Sequence, residues 1–326
     1  MKTRTVPALA MLASVAVAVL TGCGASPATT DSVGGTATLR VASIDIDATI
    51  PLTIAQDQGF FKKQGLTVDT TVSPAFDGTL AGVMNGQADI GFGAAPPLLN
   101  AMAKKAPVQV VAQTASVVEN MTANVDVYGD AITRPRDLAG HTVAVTSLND
   151  LGAVGIRLAV AKDGGDPSKV KLVELPEAQG VDALLQGRID ASVFRGPAQL
   201  AARATKGVHV LFQYTDGLPA GSPLDVYFAT STFIPAHADA LKRFRAALAE
   251  AVTYVNDHPA AARTALAAIY KDVDGGDKLA ATLPLTHYST AINPDAVMAL
   301  QDGLTKYGHL AGITPAERFY SYSNGK

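Results

Sequence analysis

From Leu39 onward, short runs rich in β-branched residues alternate with segments of helical periodicity, in two successive series. Parallel strands can be joined only by crossovers, so a chain of this kind must lay helices against mostly parallel sheets. The first series has strand-like runs at 39–44, 66–72, 88–92 and 108–114, with helices opening at Pro51, near Gly78 and at Pro96-Pro97. The second has runs at 142–146, 170–175, 189–194 and 208–214, with helices over 151–162 and 181–186 and from Pro197. Residues 216–223 form a Gly/Pro-rich break, after which 225–234 reads as a strand returning to the first unit. Over 238–255, Leu241, Phe244, Leu248, Ala251, Val252 and Val255 recur at helical spacing and predict a one-sided packing helix. Asn293-Pro294 opens a further helix whose Val297, Leu300 and Leu304 are expected to cover the first unit.

The N-terminus has a different character. Lys2 and Arg4 precede an apolar run over 6–20 that is too short for a spanning helix and is weakened by Pro7 and Ser14, the layout of a cleaved secretory signal. It ends in Leu20-Thr21-Gly22-Cys23, which resembles the lipobox of bacterial lipoproteins and implies a lipid on Cys23. Cys23 is the single cysteine, so an intramolecular disulfide and a Cys-based metal or redox centre are excluded. Residues 24–38 are almost entirely Gly, Ala, Ser, Thr and Pro, a composition that cannot bury a core and acts as a tether. The chain has 326 residues, and the body beyond the tether is longer than one hydrophobic core usually serves, so two lobes are expected. The formal charge of −3 and the lack of Lys/Arg clusters beyond short pairs such as Lys62-Lys63 argue against a nucleic-acid partner.

Several segments together carry a family resemblance: Pro51-Leu52-Thr53-Ile54-Ala55, Gln58-Gly59-Phe60-Phe61, Gly65-Leu66-Thr67-Val68, Asn85-Gly86-Gln87-Ala88-Asp89-Ile90 and Asp137-Leu138-Ala139-Gly140-His141-Thr142. In this order and spacing they resemble the sulfonate/nitrate/taurine and thiamine-precursor binding proteins of ABC importers. The resemblance implies an α/β fold of the periplasmic-binding-protein second type, with two lobes and a ligand cleft between them. The expected organisation is a signal over 1–22, the lipidated Cys and tether over 23–38, a first lobe from 39–115 plus 226–326, and a second lobe over 116–225. It also implies a small-molecule ligand, an ABC permease as partner, a lipid-anchored monomer on the extracytoplasmic face of the cell membrane, and no cofactor or metal.

In open α/β sheets ligands sit beyond the carboxyl ends of strands, where helix N-termini offer free N–H groups. That rule nominates five loops. Asp45 and Asp47 follow the first strand, either as acceptors for a cationic ligand group or, for Asp47, as a cap of the Pro51 helix. Phe76 and Asp77 follow the second, Asp77 again as ligand or N-cap. Gly93, Ala94 and Ala95 follow the third and would let a ligand approach the backbone. Ser147 and Asn149 stand before the 151–162 helix, as anion donors, caps or both. Arg195 occupies a position where the resembling families often carry an acidic residue, and would aim a fork of donors at an anion if it faces the cleft.

Enzymes of this fold, a thiamine-pyrimidine synthase and a desulfinase, rely on cysteine chemistry that this body lacks, and the sequence holds neither H-E-x-x-H, P-loop nor G-x-S-x-G. A binding protein is therefore expected, for a sulfonate, taurine or nitrate, with a thiamine-precursor pyrimidine as the alternative. Acidic and anion-seeking loops together fit a zwitterion such as taurine better than a simple anion.

Overall fold

The computed structural model describes residues 36–117, 123–148, 150–273, 275–283, 285–308 and 310–322. Cys23 and the tether over 24–35 lie outside the described residues, as does Asn149. The strands are β1 (Ala37–Ser43), β2 (Leu66–Val72), β3 (Ile90–Ala94), β4 (Val108–Ser116), β5 (Asn124–Tyr128), β6 (Thr142–Val145), β7 (Lys171–Glu174), β8 (Ala191–Phe194), β9 (Val208–Gln213) and β10 (Pro223–Thr230).

They form two five-stranded sheets, ordered β2-β1-β3-β10-β4 and β7-β6-β8-β5-β9. In each, the first three strands are parallel and the fourth runs antiparallel to both of its neighbours. The antiparallel strand is in both cases the one that has just arrived from the other sheet. The chain thus crosses once between β4 and β5 and returns between β9 and β10. The two crossings are tied together by backbone hydrogen bonds, Val117 N–H to Ser222 O and Gly221 N–H to Val117 O, both 2.8 Å. Gly221 adopts φ +80°, a conformation that favours glycine.

The long helix Ala238–Asp257 buries Leu241, Phe244, Leu248, Ala251, Val252 and Val255 as its spacing predicts. Phe244 meets Phe61 and Tyr227 at centroid distances of 5.3 and 5.5 Å, which locks the helix to the face of the first sheet. The helix Pro294–Tyr307 is capped by the Asn293 side chain, which accepts the Ala296 N–H. Its Val297, Leu300 and Leu304 join the core of the first sheet, but that same cluster includes Val154 from the helix Leu151–Lys162 of the second. Arg157 of the latter donates to the Tyr307 carbonyl at 2.6 Å. This C-terminal helix therefore does more than cover the first unit. It is wedged against the second as well.

Candidate functional site

The loops after β2, β3, β6, β8 and β9 converge on a cavity of about 540 Å³ between the two sheets. Phe76, Leu80, Pro96, Pro97 and Leu151 give it an apolar wall, and Asp77, Lys104, Ser147, Asp150, Arg195 and Tyr214 supply polar atoms. Of the residues nominated from sequence, Phe76, Asp77, Ala94, Ser147 and Arg195 meet here.

The other nominated residues take different positions. Gly93 and Ala95 are buried and do not line the cavity. A Cβ on Gly93 would stand 2.4 Å from the Phe76 ring, so glycine is needed there to seat that aromatic and does not open the backbone to a ligand. Asp77 is not an N-cap: Ala75 holds that position without a side-chain bond, and Asp77 lies in the first turn of Phe76–Met84 with its carboxylate exposed. Asp45 is exposed on the β1 loop. Asp47 does not cap the Pro51 helix either. Its Oδ1 accepts the Ala48 N–H at 3.0 Å and its Oδ2 the Thr286 hydroxyl at 3.2 Å.

The loop before Leu151–Lys162 is organised by Asp150, which sequence reasoning passed over in favour of its neighbours. Asp150 Oδ1 accepts the Ala153 N–H at 2.8 Å, while Oδ2 accepts the Ser147 N–H at 3.2 Å and the Thr146 hydroxyl. A carboxylate thus already occupies the positive end of this helix, where an external anion was expected. The position of Asp150 directly before the first helical residue was the available signal.

Arg195 reaches the cavity, but its charge is already engaged. Glu177 accepts the Arg195 backbone N–H at 2.7 Å and the Nε–H at 3.0 Å, and Nη2 donates to the Thr146 hydroxyl at 3.3 Å. About half of the Arg195 side chain is exposed, 49%, against 16% for Glu177. Partial burial works against the guanidinium charge, yet Tyr214, Glu177 and Asp150 outweigh it and hold the pKa above its ordinary value. Glu177 comes from the short turn after β7, far from Arg195 in sequence, and no spacing rule announced it.

Two further carboxylates face Arg195. Asp225 stands near the start of β10, opposite Ala94 of β3 and Ala115 of β4. Burial, then the neighbouring charge of Asp47, push its carboxyl up to about 7, with Arg195 pulling the other way. Asp47 is raised chiefly by burial, offset by its hydrogen bonds to Thr286 and Ala48 and by Arg195. The site is consequently richer in carboxylates than in free cationic groups. Among the described residues there is no cluster of His, Cys, Asp or Glu able to hold a metal ion, and no helix long and apolar enough to cross a membrane.

Residues 47–262 match a family described as NMT1/THI5 like, which is well over half of the chain. The chain belongs to that family. The structure is similar to the periplasmic aliphatic sulphonate binding protein SsuA of Escherichia coli, with a TM-score of 0.71 and 20% identity, covering 87% of this chain and 97% of that one. It is similar also to the alkanesulfonate-binding protein SsuA of Xanthomonas axonopodis pv. citri bound to MOPS, with a TM-score of 0.63 and 17% identity over 85% and 95% of the two chains. The nitrate-binding protein NrtA of Synechocystis PCC 6803 matches with a TM-score of 0.54 and 18% identity over 72% of this chain and 66% of that one. No curated protein sequence matches. This NMT1/THI5-like chain has the periplasmic-binding-protein fold, as its sequence implied.

Proposed function

We propose that this protein is the solute-binding lipoprotein of an ABC importer, held to the extracytoplasmic face of the cell membrane through Cys23, and that it captures a small organic molecule without transforming it. The convergence of loops from both sheets on one cavity carries this reading. A volume of about 540 Å³ lies within the range typical of small-molecule sites. The names of the similar structures, sulfonate-binding and nitrate-binding, support solute capture, and the lipobox supports the anchor.

The charge distribution selects among the expected ligands. With Asp150 at the helix start and Glu177 on Arg195, nitrate or a plain alkanesulfonate would find its donors shared with resident carboxylates. A taurine-like zwitterion suits the site better. The apolar wall of Phe76, Leu80, Pro96 and Leu151 favours a second reading, an aminopyrimidine of the thiamine-precursor kind laid against it.

A thermal-shift screen of such compounds tests the proposal. A ligand at a hundred times its dissociation constant stabilises by about 2.7 kcal/mol, a shift of roughly a few degrees for a chain of this size. Closure about the paired crossings should also reduce the radius of gyration in solution scattering. Turnover of a bound compound would replace the transport reading with an enzymatic one, and saturation without any change in radius would argue against closure.

A further inference from the structure

We propose that Asn100 and Lys104, at the outer end of the helix Ala95–Ala103, form the subsite for the acidic end of the captured solute, so that the ligand is an extended ω-amino acid or ω-amino sulfonate lying along that helix, longer than taurine. The inference rests on the solute-capture reading and adds the length of the ligand and the place of its anion.

The helix Ala95–Ala103 follows β3 directly, so its first turn stands at the cleft and its last turn points away from it. Pro96, Pro97, Asn100, Ala101 and Lys104 all line the cavity. Residues three and four apart share a helix face, so these five form one stripe from the first turn to the residue that ends the helix. At about 1.5 Å of rise per residue, the stripe from Pro96 to Lys104 is about 12 Å long. Leu80, one turn beyond Phe76 on the neighbouring helix Phe76–Met84, continues the apolar wall beside it. The cavity is therefore elongated. Taurine, with two methylenes between nitrogen and sulfur, spans about 4 Å, a third of that length.

The donors at the outer end are uncommitted. Among the described residues no carboxylate pairs with Lys104, whereas Arg195 at the cleft end is held by Glu177. A lysine at a helix end commonly bonds the last carbonyls of its own helix, but here the backbone takes them. The N–H groups of Lys104, Lys105 and Ala106 donate to the carbonyls of Asn100, Met102 and Ala101 at 3.1, 2.8 and 2.9 Å. Lys105 makes this turn by adopting φ +69°, alone among the described non-glycine residues in having a positive φ. The Asn100 side chain is oriented by Ala311, whose N–H its Oδ1 accepts at 3.3 Å, and its Nδ2 is left to donate elsewhere. An ammonium and an amide donor thus face the same space one helical turn apart.

A carboxylate or sulfonate between them would gain a charge-assisted bond from Lys104 and a second bond from Asn100. The other end is set by Asp77. Strands β2 and β3 are both parallel to β1, so the helices that follow them leave the cleft in the same sense. Asp77, in the first turn of Phe76–Met84, therefore stands about a helix length from Lys104, and it lines the same cavity. Its carboxylate makes no hydrogen bond or ion pair among the described residues, and an amine suits it. A ligand whose two charges are close together reaches one of these ends. One whose charges stand about 10 Å apart reaches both.

The test is calorimetry on the full chain with the ω-aminoalkanesulfonates from taurine to 8-aminooctanesulfonate, beside alkylamines and α,ω-diamines of equal length. The titrations are run on the wild type, Lys104→Gln and Lys104→Glu. Affinity of the wild type should rise with chain length and peak at about six or seven methylenes, at about ten times that for taurine or more. Alkylamines of the same length, which lack the acid, should bind more weakly. Lys104→Gln should remove the advantage of the long acid over the alkylamine, and Lys104→Glu should move the preference to the diamine. Lys104 is exposed, so both variants should melt as the wild type does, which separates loss of binding from loss of folding. An optimum at taurine, or a length series unchanged in both variants, overturns the outer subsite and leaves solute capture standing. Absence of binding by every member also overturns it, and solute capture is then decided by the thermal-shift screen.

Discussion

Glu177 holds Arg195 at two points, its carboxylate oxygens taking the backbone N–H at 2.7 Å and the guanidinium Nε–H at 3.0 Å. The arginine that enters the cleft therefore arrives with its own counter-ion. Replacing Glu177 by Gln keeps the shape and removes the charge, leaving the guanidinium to attract an external anion. Glu177→Gln is expected to bind ethanesulfonate more tightly than the wild type, by about tenfold if one charge-assisted bond is gained. Calorimetry on both proteins checks it. Equal or weaker binding would mean that Arg195 does not reach the ligand.

Asp150 makes a similar substitution of an internal for an external charge, at the start of Leu151–Lys162. Asp150→Ala removes the cap on Ala153 N–H and the acceptor for Ser147 N–H, and should cost about 0.5–2 kcal/mol in a urea unfolding series. Asp150→Asn retains an acceptor oxygen and should lose less. If the two variants are equally stable as the wild type, the loop does not depend on this carboxylate.

Periodicity made most of the architecture legible. The 151–162 helix begins and ends where its pattern does, and the strands of both sheets fall within a few residues of their apolar runs. The exception is β5, Asn124–Tyr128, whose Asn124 and Asp126 face inward. Buried polar residues break the alternation by which a strand is recognised, so no strand was expected over this segment. The site was legible at the level of loops and much less so at the level of partners. Arg195 could be nominated from its place after β8, but Glu177 reaches it only because the turn after β7 folds beside it. Asp225 looked like the first residue of an apolar strand, and only the sheet order, which sets β10 between β3 and β4, brings it toward Asp47. Charge neutralisation is a property of pairs, and pairs distant in sequence leave no local pattern.

The lipid anchor rests on sequence alone, since Cys23 lies outside the described residues. A serine at this position cannot accept the diacylglycerol that lipobox processing requires. Cys23→Ser should accumulate as an unlipidated precursor or appear in the medium, checked by fractionation and mass spectrometry of the N-terminus. Mature-sized protein still held at the membrane would remove the anchor from the proposal.

The raised carboxyl of Asp225 also makes the ligand-free protein sensitive to pH in a defined direction. Its pKa of about 7 in the folded state, set first by burial and then by Asp47, stands well above the roughly 3.9 of an unfolded aspartate. The folded state therefore binds this proton more tightly than the unfolded state. The stability so gained is complete below about pH 4 and is lost as pH rises through about 7. Asp126, buried in the second sheet, contributes in the same sense over a lower window. Burial raises its carboxyl to about 6 against the opposing charges of Arg203 and His209. The wild type should thus lose stability from mildly acidic pH up to about pH 7 to 8. In Asp225→Asn the decline should end nearer pH 6, and the difference between the two proteins should widen from about pH 4 to about pH 7 in favour of the variant and stay level above that. Urea midpoints measured at steps across this range check it, and parallel curves would show that Asp225 titrates as an ordinary exposed carboxyl.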